Sequence, residues 1–306
     1  MSTIEVLNPG LLSTIQDDGR FGLAYLGISA GGAADSLSFR VANRIVGNDE
    51  NAPAIEMTLV GAELRFNEGG TIALAGAEIS SAQLPMFEPV QLPAGFVLES
   101  GPLRNGARTY LAVRGGIAVP NVLGSASTNL AAGFGGFQGR SLRRGDILDV
   151  GTNTASPCSA NALALRELVI KPNVIRVTTG PQHEMFSAET LASFYASEYA
   201  VTEQSNRLGL RLAGLPVSLT DPSELLTEGV SLGAIQVPPN GQPIILFVDQ
   251  HTTGGYPKLA NVIAADIHCI GQLCPRETVR FTEVSIAEAI DALRQQESAL
   301  KEAFRQ

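Results

Sequence analysis

Short runs in which apolar and polar residues alternate dominate the first half of the chain. Ile4-Glu5-Val6, Glu63-Leu64-Arg65-Phe66, Thr71-Ile72-Ala73-Leu74 and Tyr110-Leu111-Ala112-Val113-Arg114 are bounded by Gly, Pro or Asn. A side-chain period of two belongs to an extended strand with one buried face, so these runs predict strands of a barrel or sandwich. Asp35 to Val46 breaks the pattern, because Leu37, Val41 and Ile45 recur every fourth residue. Asp35 is suited to cap that helix and Gly47-Asn48 to end it. In the second half, Val174-Ile175-Arg176-Val177, Leu208 to Leu212, Ile244 to Val248 and Val279-Arg280-Phe281 predict strands, and Ser187 to Ser197 a short helix. From Ser285 to Gln306, Ile286, Ile290, Leu293, Leu300 and Phe304 sit among charges and predict an amphipathic C-terminal helix. The stretch GTNTASPCSANA, Gly151 to Ala162, is small, polar and unperiodic, as a connector is. Two domains are expected, over 1–155 and 165–306.

Composition fits that reading. The 306 residues are 44% hydrophobic and 17% charged, so a sizeable core is available, and 32 Gly with 17 Pro favour many tight connections. A formal charge of −9 without a Lys/Arg run argues against nucleic acid as a partner. No apolar stretch nears the length of a membrane span and no leader pattern opens the chain, so a cytoplasmic protein is expected. The three cysteines, Cys158, Cys269 and Cys274, form no CxxC pair and suit a reducing compartment. His183, His251 and His268 are scattered, so no metal site is expected.

Three polar clusters invite chemistry. In the first, Gln16-Asp17-Asp18-Gly19-Arg20 precedes Gly31-Gly32-Ala33-Ala34-Asp35. It reads either as a turn followed by a helix cap or as a place where Arg20 and Asp35 meet an anionic ligand at a helix N-terminus. The second holds Arg114-Gly115-Gly116, Gly124-Ser125-Ala126-Ser127-Thr128-Asn129 and Gly133-Phe134-Gly135-Gly136-Phe137-Gln138-Gly139-Arg140. Its glycines make either a backbone nest for a carboxylate or phosphate, or tight loops; it lacks the P-loop spacing, and Ser125 lacks the GxSxG elbow. The third, Asp249-Gln250-His251-Thr252-Thr253-Gly254-Gly255-Tyr256-Pro257-Lys258, leaves a hydrophobic strand and so presents polar groups on a rigid base. Ser205-Asn206-Arg207 and Gln236-Val237-Pro238 add a guanidinium and two amides.

These clusters resemble one known family nearly end to end. Thr14-Ile15-Gln16-Asp17-Asp18-Gly19-Arg20, Ala42-Asn43-Arg44-Ile45-Val46-Gly47-Asn48, Gly124 to Thr128, Gly135 to Arg140, Ser205-Asn206-Arg207-Leu208-Gly209 and Thr252-Thr253-Gly254-Gly255-Tyr256-Pro257-Lys258 occur in the order found in the allophanate hydrolase subunit 2 group. That group includes the C subunit of 5-oxoprolinase, the Kip antagonist protein and part of urea carboxylase. The sequence departs from it at His251, where Gln is frequent, at Leu210, where Tyr is frequent, and at Arg276, where Gly is usual. The resemblance implies a mostly β chain of two cyclophilin-like β-barrel domains with a few short helices and a C-terminal helix. It implies a B-type partner, similar to allophanate hydrolase subunit 1, an A-type partner, and a small amide substrate.

The leading expectation is the C subunit of an ATP-dependent 5-oxoprolinase, with ATP bound here or with the partner. The alternatives are a carboxyltransferase component using biotin on a separate carrier, and a non-catalytic regulator that binds a kinase inhibitor of the B type. Either chemistry develops negative charge on an amide oxygen and needs fixed donors near it. Arg20, Arg207 and Lys258 are the expected donors, with Asp35 or Asp249 as acceptor. Asn43, Arg114, Ser125, Thr128 and Arg140 are expected to bind substrate from the first half, and Asn206, Gln236, Thr252, Thr253 and Tyr256 from the second. All are expected to converge in one groove between the barrels.

Overall fold

The computed structural model describes residues 2–81, 84–170, 172–220 and 225–305. The chain forms two compact units: Met1–Arg20 with Gly31–Ile170 and Ser298–Gln306, and Phe21–Ala30 with Lys171–Glu297.

In the first unit the strands are β1 (Thr3–Asn8), β2 (Leu12–Gln16), β3 (Ala54–Thr58), β4 (Glu63–Phe66), β5 (Gly70–Ile79), β6 (Val90–Leu92), β7 (Phe96–Glu99), β8 (Leu103–Val113) and β9 (Ile147–Asp149). They pair as two sheets, in the orders β7-β4-β1-β9 and β2-β3-β8-β5-β6. The alternation read from sequence is the cause: Ile4, Val6, Leu64 and Phe66 from one sheet meet Ile55, Met57, Ile72, Leu74 and Leu111 from the other in one core. The far face of the second sheet carries Ala73, Ala75, Tyr110 and Ala112. It is covered by α1 (Ser36–Ile45), α2 (Ala162–Val169) and, from near the chain's end, Leu300, Ala303 and Phe304. A strand apolar on both faces, such as the run 110–113, is what such a three-layer packing requires. Helix α1 starts where expected, with Asp35 accepting from the Ser38 amide, and Gly47 follows it at φ 76°. Helix α2 begins at the end of the expected connector.

The second unit contains β10 (Val174–Thr179), β11 (Tyr199–Val201), β12 (Gly209–Ala213), β13 (Glu228–Gly229), β14 (Ala234–Gln236), β15 (Ile244–Leu246), β16 (Thr253–Gly254), β17 (Lys258–Val262) and β18 (Thr278–Glu283). Seven of these close a barrel in the order β10-β17-β14-β15-β12-β11-β18, sealed by the parallel pairing of β18 with β10. Among the described residues, the remaining two, β13 and β16, pair only with each other. Helix α3 (Ala188–Ala196), capped by Ser187, sets Phe194 on Phe281 with ring centroids 5.0 Å apart. A short α4 (Ile267–Gly271) precedes β18. The C-terminal helix α5 (Ile286–Ala303) packs Ala289, Ala292 and Leu293 on Ile263 and Ala265. The protein is thus mostly β with a closed barrel and, among the described residues, five α-helices, as the sequence leads one to expect. No helix among those residues is long and apolar enough to cross a membrane.

Candidate functional site

In the first unit, the turn after β2 and the segment 122–136 form one buried polar knot centred on Asp17. Its Oδ1 accepts from Ser125 Oγ at 2.6 Å, Ser127 Oγ at 2.5 Å and the Gly19 amide at 2.8 Å, while Oδ2 accepts from the Ala126 amide at 2.6 Å. Arg20 is 2% exposed; it donates to the Ser127 carbonyl at 2.5 Å and the Val122 carbonyl at 3.5 Å, and lies 4.8 Å over the Phe134 ring. Thr128 Oγ donates to the Ile15 carbonyl at 2.8 Å. Gly135, at φ 73°, lies so close to the Ser127 carbonyl and the Arg20 guanidinium that a Cβ there would collide with both.

The structure therefore brings Arg20, Ser125 and Thr128 together, with Asp17 and Ser127 as the hub that the nominations passed over. A signal for that hub was present: Ser125-x-Ser127 places two hydroxyls on one side of an extended segment. Asp35 is elsewhere engaged. Its carboxylate accepts from the Ser38 amide at 2.9 Å and Ser38 Oγ at 2.6 Å, and its own amide donates to Tyr110 Oη at 2.7 Å. Tyr110 Oη donates in turn to Glu56 Oε2 at 2.7 Å. Burial first, then the charges of Glu56 and Asp35, push the phenol well above its ordinary range, so it stays a donor. These bonds make Asp35 the cap of α1.

Other nominees of this unit brace loops. Asn43 donates to the Ala52 carbonyl at 2.8 Å and accepts from Asn48 Nδ2 at 3.0 Å. Arg140 holds Asp146 by two bonds of 2.7 and 2.8 Å; those bonds keep the Asp146 carboxyl below its usual range. Arg114 is half-buried at the end of β8, and its Nε has no hydrogen-bond partner among the described residues. In the glycine-rich segment three of the glycine amides serve the chain itself. Gly133 N–H donates to the Asn129 carbonyl, Gly136 N–H to Ala126 and Gly139 N–H to Gly135.

In the second unit, Arg207 and Asp249 are both 6% exposed and joined at 2.8 and 3.3 Å, with the Asp249 amide donating to the Arg207 carbonyl at 2.9 Å. The pair neutralises itself beside the start of β12 and the end of β15. Asn206 Oδ1 accepts from the Leu208 amide at 2.8 Å, a local turn.

Lys258 is placed differently. The register aligns Arg211 with Ile244, Ile244 with Gln236 and Gln236 with Lys258, one row across β12, β15, β14 and β17. Arg207 lies beyond the start of β12, at the tip of the turn closed by the pairing of Asn206 with Gly209. Arg207 and Lys258 thus stand at opposite ends of the strand ladder, not around one point.

On that row, Lys258 is 3% exposed and meets Glu228 Oε1 at 2.5 Å, its single side-chain partner among the described residues. Gln182 Nε2 also donates to Glu228 Oε1, at 2.6 Å, and Gln182 Oε1 accepts from the Lys258 amide at 3.1 Å. The bond from Lys258, then that from Gln182, hold the Glu228 carboxyl below its ordinary range. Gln236 is 6% exposed, its Nε2 is buried without a hydrogen-bond partner among the described residues, and a Cβ on Gly254 would come within 2.5 Å of it. Gln236 and Lys258, register partners on β14 and β17, are thus both buried donors, and Lys258 is joined to a carboxylate.

Thr252 and Thr253 lie on the strip that pairs with β13, Thr252 accepting from the Val230 amide at 3.1 Å. Tyr256 is 45% exposed and lines a groove of about 640 Å³ with Arg211, Ile244, Pro238, Asn240 and Gln242. Glu228, Gln182 and Arg211 escaped sequence reasoning. A two-residue strand such as β13 leaves no period to read, and Arg211 looks like any outward-facing strand residue.

Comparison with known proteins agrees with this architecture. Residues 26–283 match the family described as "Carboxyltransferase domain, subdomain A and B". The chain is 40% identical to the 5-oxoprolinase C subunit of Escherichia coli over 298 residues, covering 96% of this chain and 95% of that protein. It is 33% identical to urea amidolyase of Saccharomyces cerevisiae over 323 residues, covering 98% of this chain and 18% of the larger enzyme. The crystal structure of Kluyveromyces lactis urea amidolyase superposes with a TM-score of 0.90 at 32% identity, over 97% of this chain and 20% of that one. By sequence and by fold, the chain belongs to the carboxyltransferase domain family comprising subdomains A and B.

Proposed function

We propose that this chain is the C subunit of an ATP-dependent 5-oxoprolinase and acts, with B-type and A-type partners, in opening the lactam of 5-oxo-L-proline to L-glutamate. The observation that carries this is the near end-to-end match, at 40% identity over 96% of the chain, to a protein bearing that name. The cytoplasm is its proposed location. ATP is proposed to bind with the partners, a reading supported by the engagement of the Gly133, Gly136 and Gly139 amides within the chain.

The chemistry suits the row in the second unit. Net opening puts a hydroxyl from water on the carbonyl carbon, breaks the C–N bond and leaves the proton on the ring nitrogen. Charge develops on the carbonyl oxygen, and donors fixed in a water-poor site stabilise it. Lys258 Nζ and Gln236 Nε2 are proposed as those donors, and Glu228 as the acceptor for the lactam N–H. Thr252, Thr253 and Tyr256 are proposed to line the approach. Arg20, Asp35, Arg207 and Asp249 are proposed as braces, since each already has strong internal partners. Combining the chain with its B-type and A-type partners and assaying ATP-dependent glutamate release tests the reading; no turnover with all three rejects it.

The match to urea amidolyase supports a second reading, transfer of a carboxyl group from carboxybiotin to an amide nitrogen. The same donors serve it. Inhibition of the reconstituted activity by avidin would select it over the first.

A further inference from the structure

Deepening the 5-oxoprolinase reading, we propose that the groove over Arg211 is the carboxylate subsite for the ring acid, with Arg211 as the residue that selects a lactam bearing a carboxylate. The argument begins with what is left over. Arg211 is exposed on β12, and its guanidinium makes no ion pair and no hydrogen bond among the described residues. It opens into the groove of about 640 Å³, beside the amides of Asn240 and Gln242 and the ring of Tyr256, with Pro238 as a stiff wall. A fixed planar fork of donors next to an aromatic face is the equipment for holding a carboxylate on a small ring.

Register ties this groove to the lactam donors. Arg211, Ile244 and Gln236 are consecutive partners on adjacent strands, so their side chains share one face of the barrel wall. Leu210 and Leu212 take the inner face, at 4% and 2% exposure, which leaves Arg211 and its row facing outward. Two strand spacings, about 10 Å, separate the Arg211 and Gln236 backbones, and both side chains are long. In 5-oxoproline the ring nitrogen lies between the carbonyl carbon and the carbon that carries the carboxylate. In the proposed pose the carboxylate sits on Arg211 and the ring against Tyr256, both of which line the groove, with the carbonyl pointing along the row toward Gln236.

The test compares 5-oxo-L-proline with 2-pyrrolidinone, the same lactam without the carboxylate, in the complex reconstituted with its partners. Arg211→Met is expected to raise KM for 5-oxo-L-proline about 100-fold, to leave kcat within a few-fold and to leave 2-pyrrolidinone kinetics unchanged; Arg211→Lys should restore part of the loss. An unchanged KM, or an equal loss on both lactams, overturns the proposal. NMR titration of the full chain with 5-oxo-L-proline, following the Arg211 guanidinium, reads the subsite without turnover. Saturable shifts in the parent chain, lost in Arg211→Met, support it, and no shift overturns it. Absence of glutamate formation by the parent complex instead rejects the activity, so the two failures are distinguishable.

Discussion

Asp17→Asn separates a structural hub from a chemical one. The side chains are isosteric, so no cavity forms and only the hydrogen bonding changes. Asp17 accepts four bonds, three on Oδ1 and one on Oδ2. The better placement of the new amide keeps its oxygen on Ser125, Ser127 and Gly19 and turns its NH2 toward the Ala126 amide, another donor. One bond to a charged acceptor is lost, at about 1.5–3 kcal/mol, and the remaining three weaken from charged to neutral acceptors. A total of about 3 kcal/mol follows, or a fall of roughly 6–12 °C in Tm for a unit of this size. Calorimetry and urea unfolding of the full chain at neutral pH measure the loss, and glutamate release per folded complex measures the chemistry. Stability should drop while turnover per folded complex stays put. A change under about 0.5 kcal/mol would show that the knot holds nothing, and a hundredfold fall in kcat with intact stability would make Asp17 part of the reaction instead.

Other perturbations probe the second unit and the tight loops. Lys258→Met and Gln236→Leu should each lower kcat of the reconstituted complex on the order of a hundredfold, the usual cost of one oxyanion donor; normal rates for both would remove the row from the chemistry. Glu228 titrates below its ordinary value because Lys258 and Gln182 bond its charged form. A depressed carboxylate stabilises the fold above its unfolded pKa, and that contribution disappears as pH falls through the folded value. In Lys258→Met, carboxyl NMR should show Glu228 titrating at higher pH than in the parent, and an unmoved midpoint would contradict the ion pair. Gly135→Ala places a Cβ against the Ser127 carbonyl at a positive φ, so urea unfolding should show a loss of more than about 2 kcal/mol.

Strands are legible in the sequence where an alternating or continuous apolar run is long enough to show its period. Glu63–Phe66 was read to the residue, and β1, β5, β8, β10, β12, β15 and β18 lie over their predicted runs. Strands with a polar residue inside, or too short for a period, were not legible. β3 buries Glu56 to hold Tyr110, β17 opens with buried Lys258, and β13 and β16 have two residues each. For the same reason the site was read only in part. Motifs identified Arg20, Ser125, Thr128, Gln236 and Lys258 as residues with partners to find. Whether a cation is already engaged, as Arg20 and Arg207 are, or retains donors, as Lys258 does, depends on strand register and on carbonyls distant in the chain.

The pairing that seals the barrel joins Val174 with Arg280, and the apolar cover on the first unit's second sheet includes Leu300 and Ala303. Loop closure over so many residues is slow, and neither oily interior is finished by upstream residues alone. During synthesis, therefore, both interiors stay partly open to water until the last tenth of the polypeptide is available. Deleting that stretch would leave two sticky, half-built bodies instead of one unit trimmed at its edge.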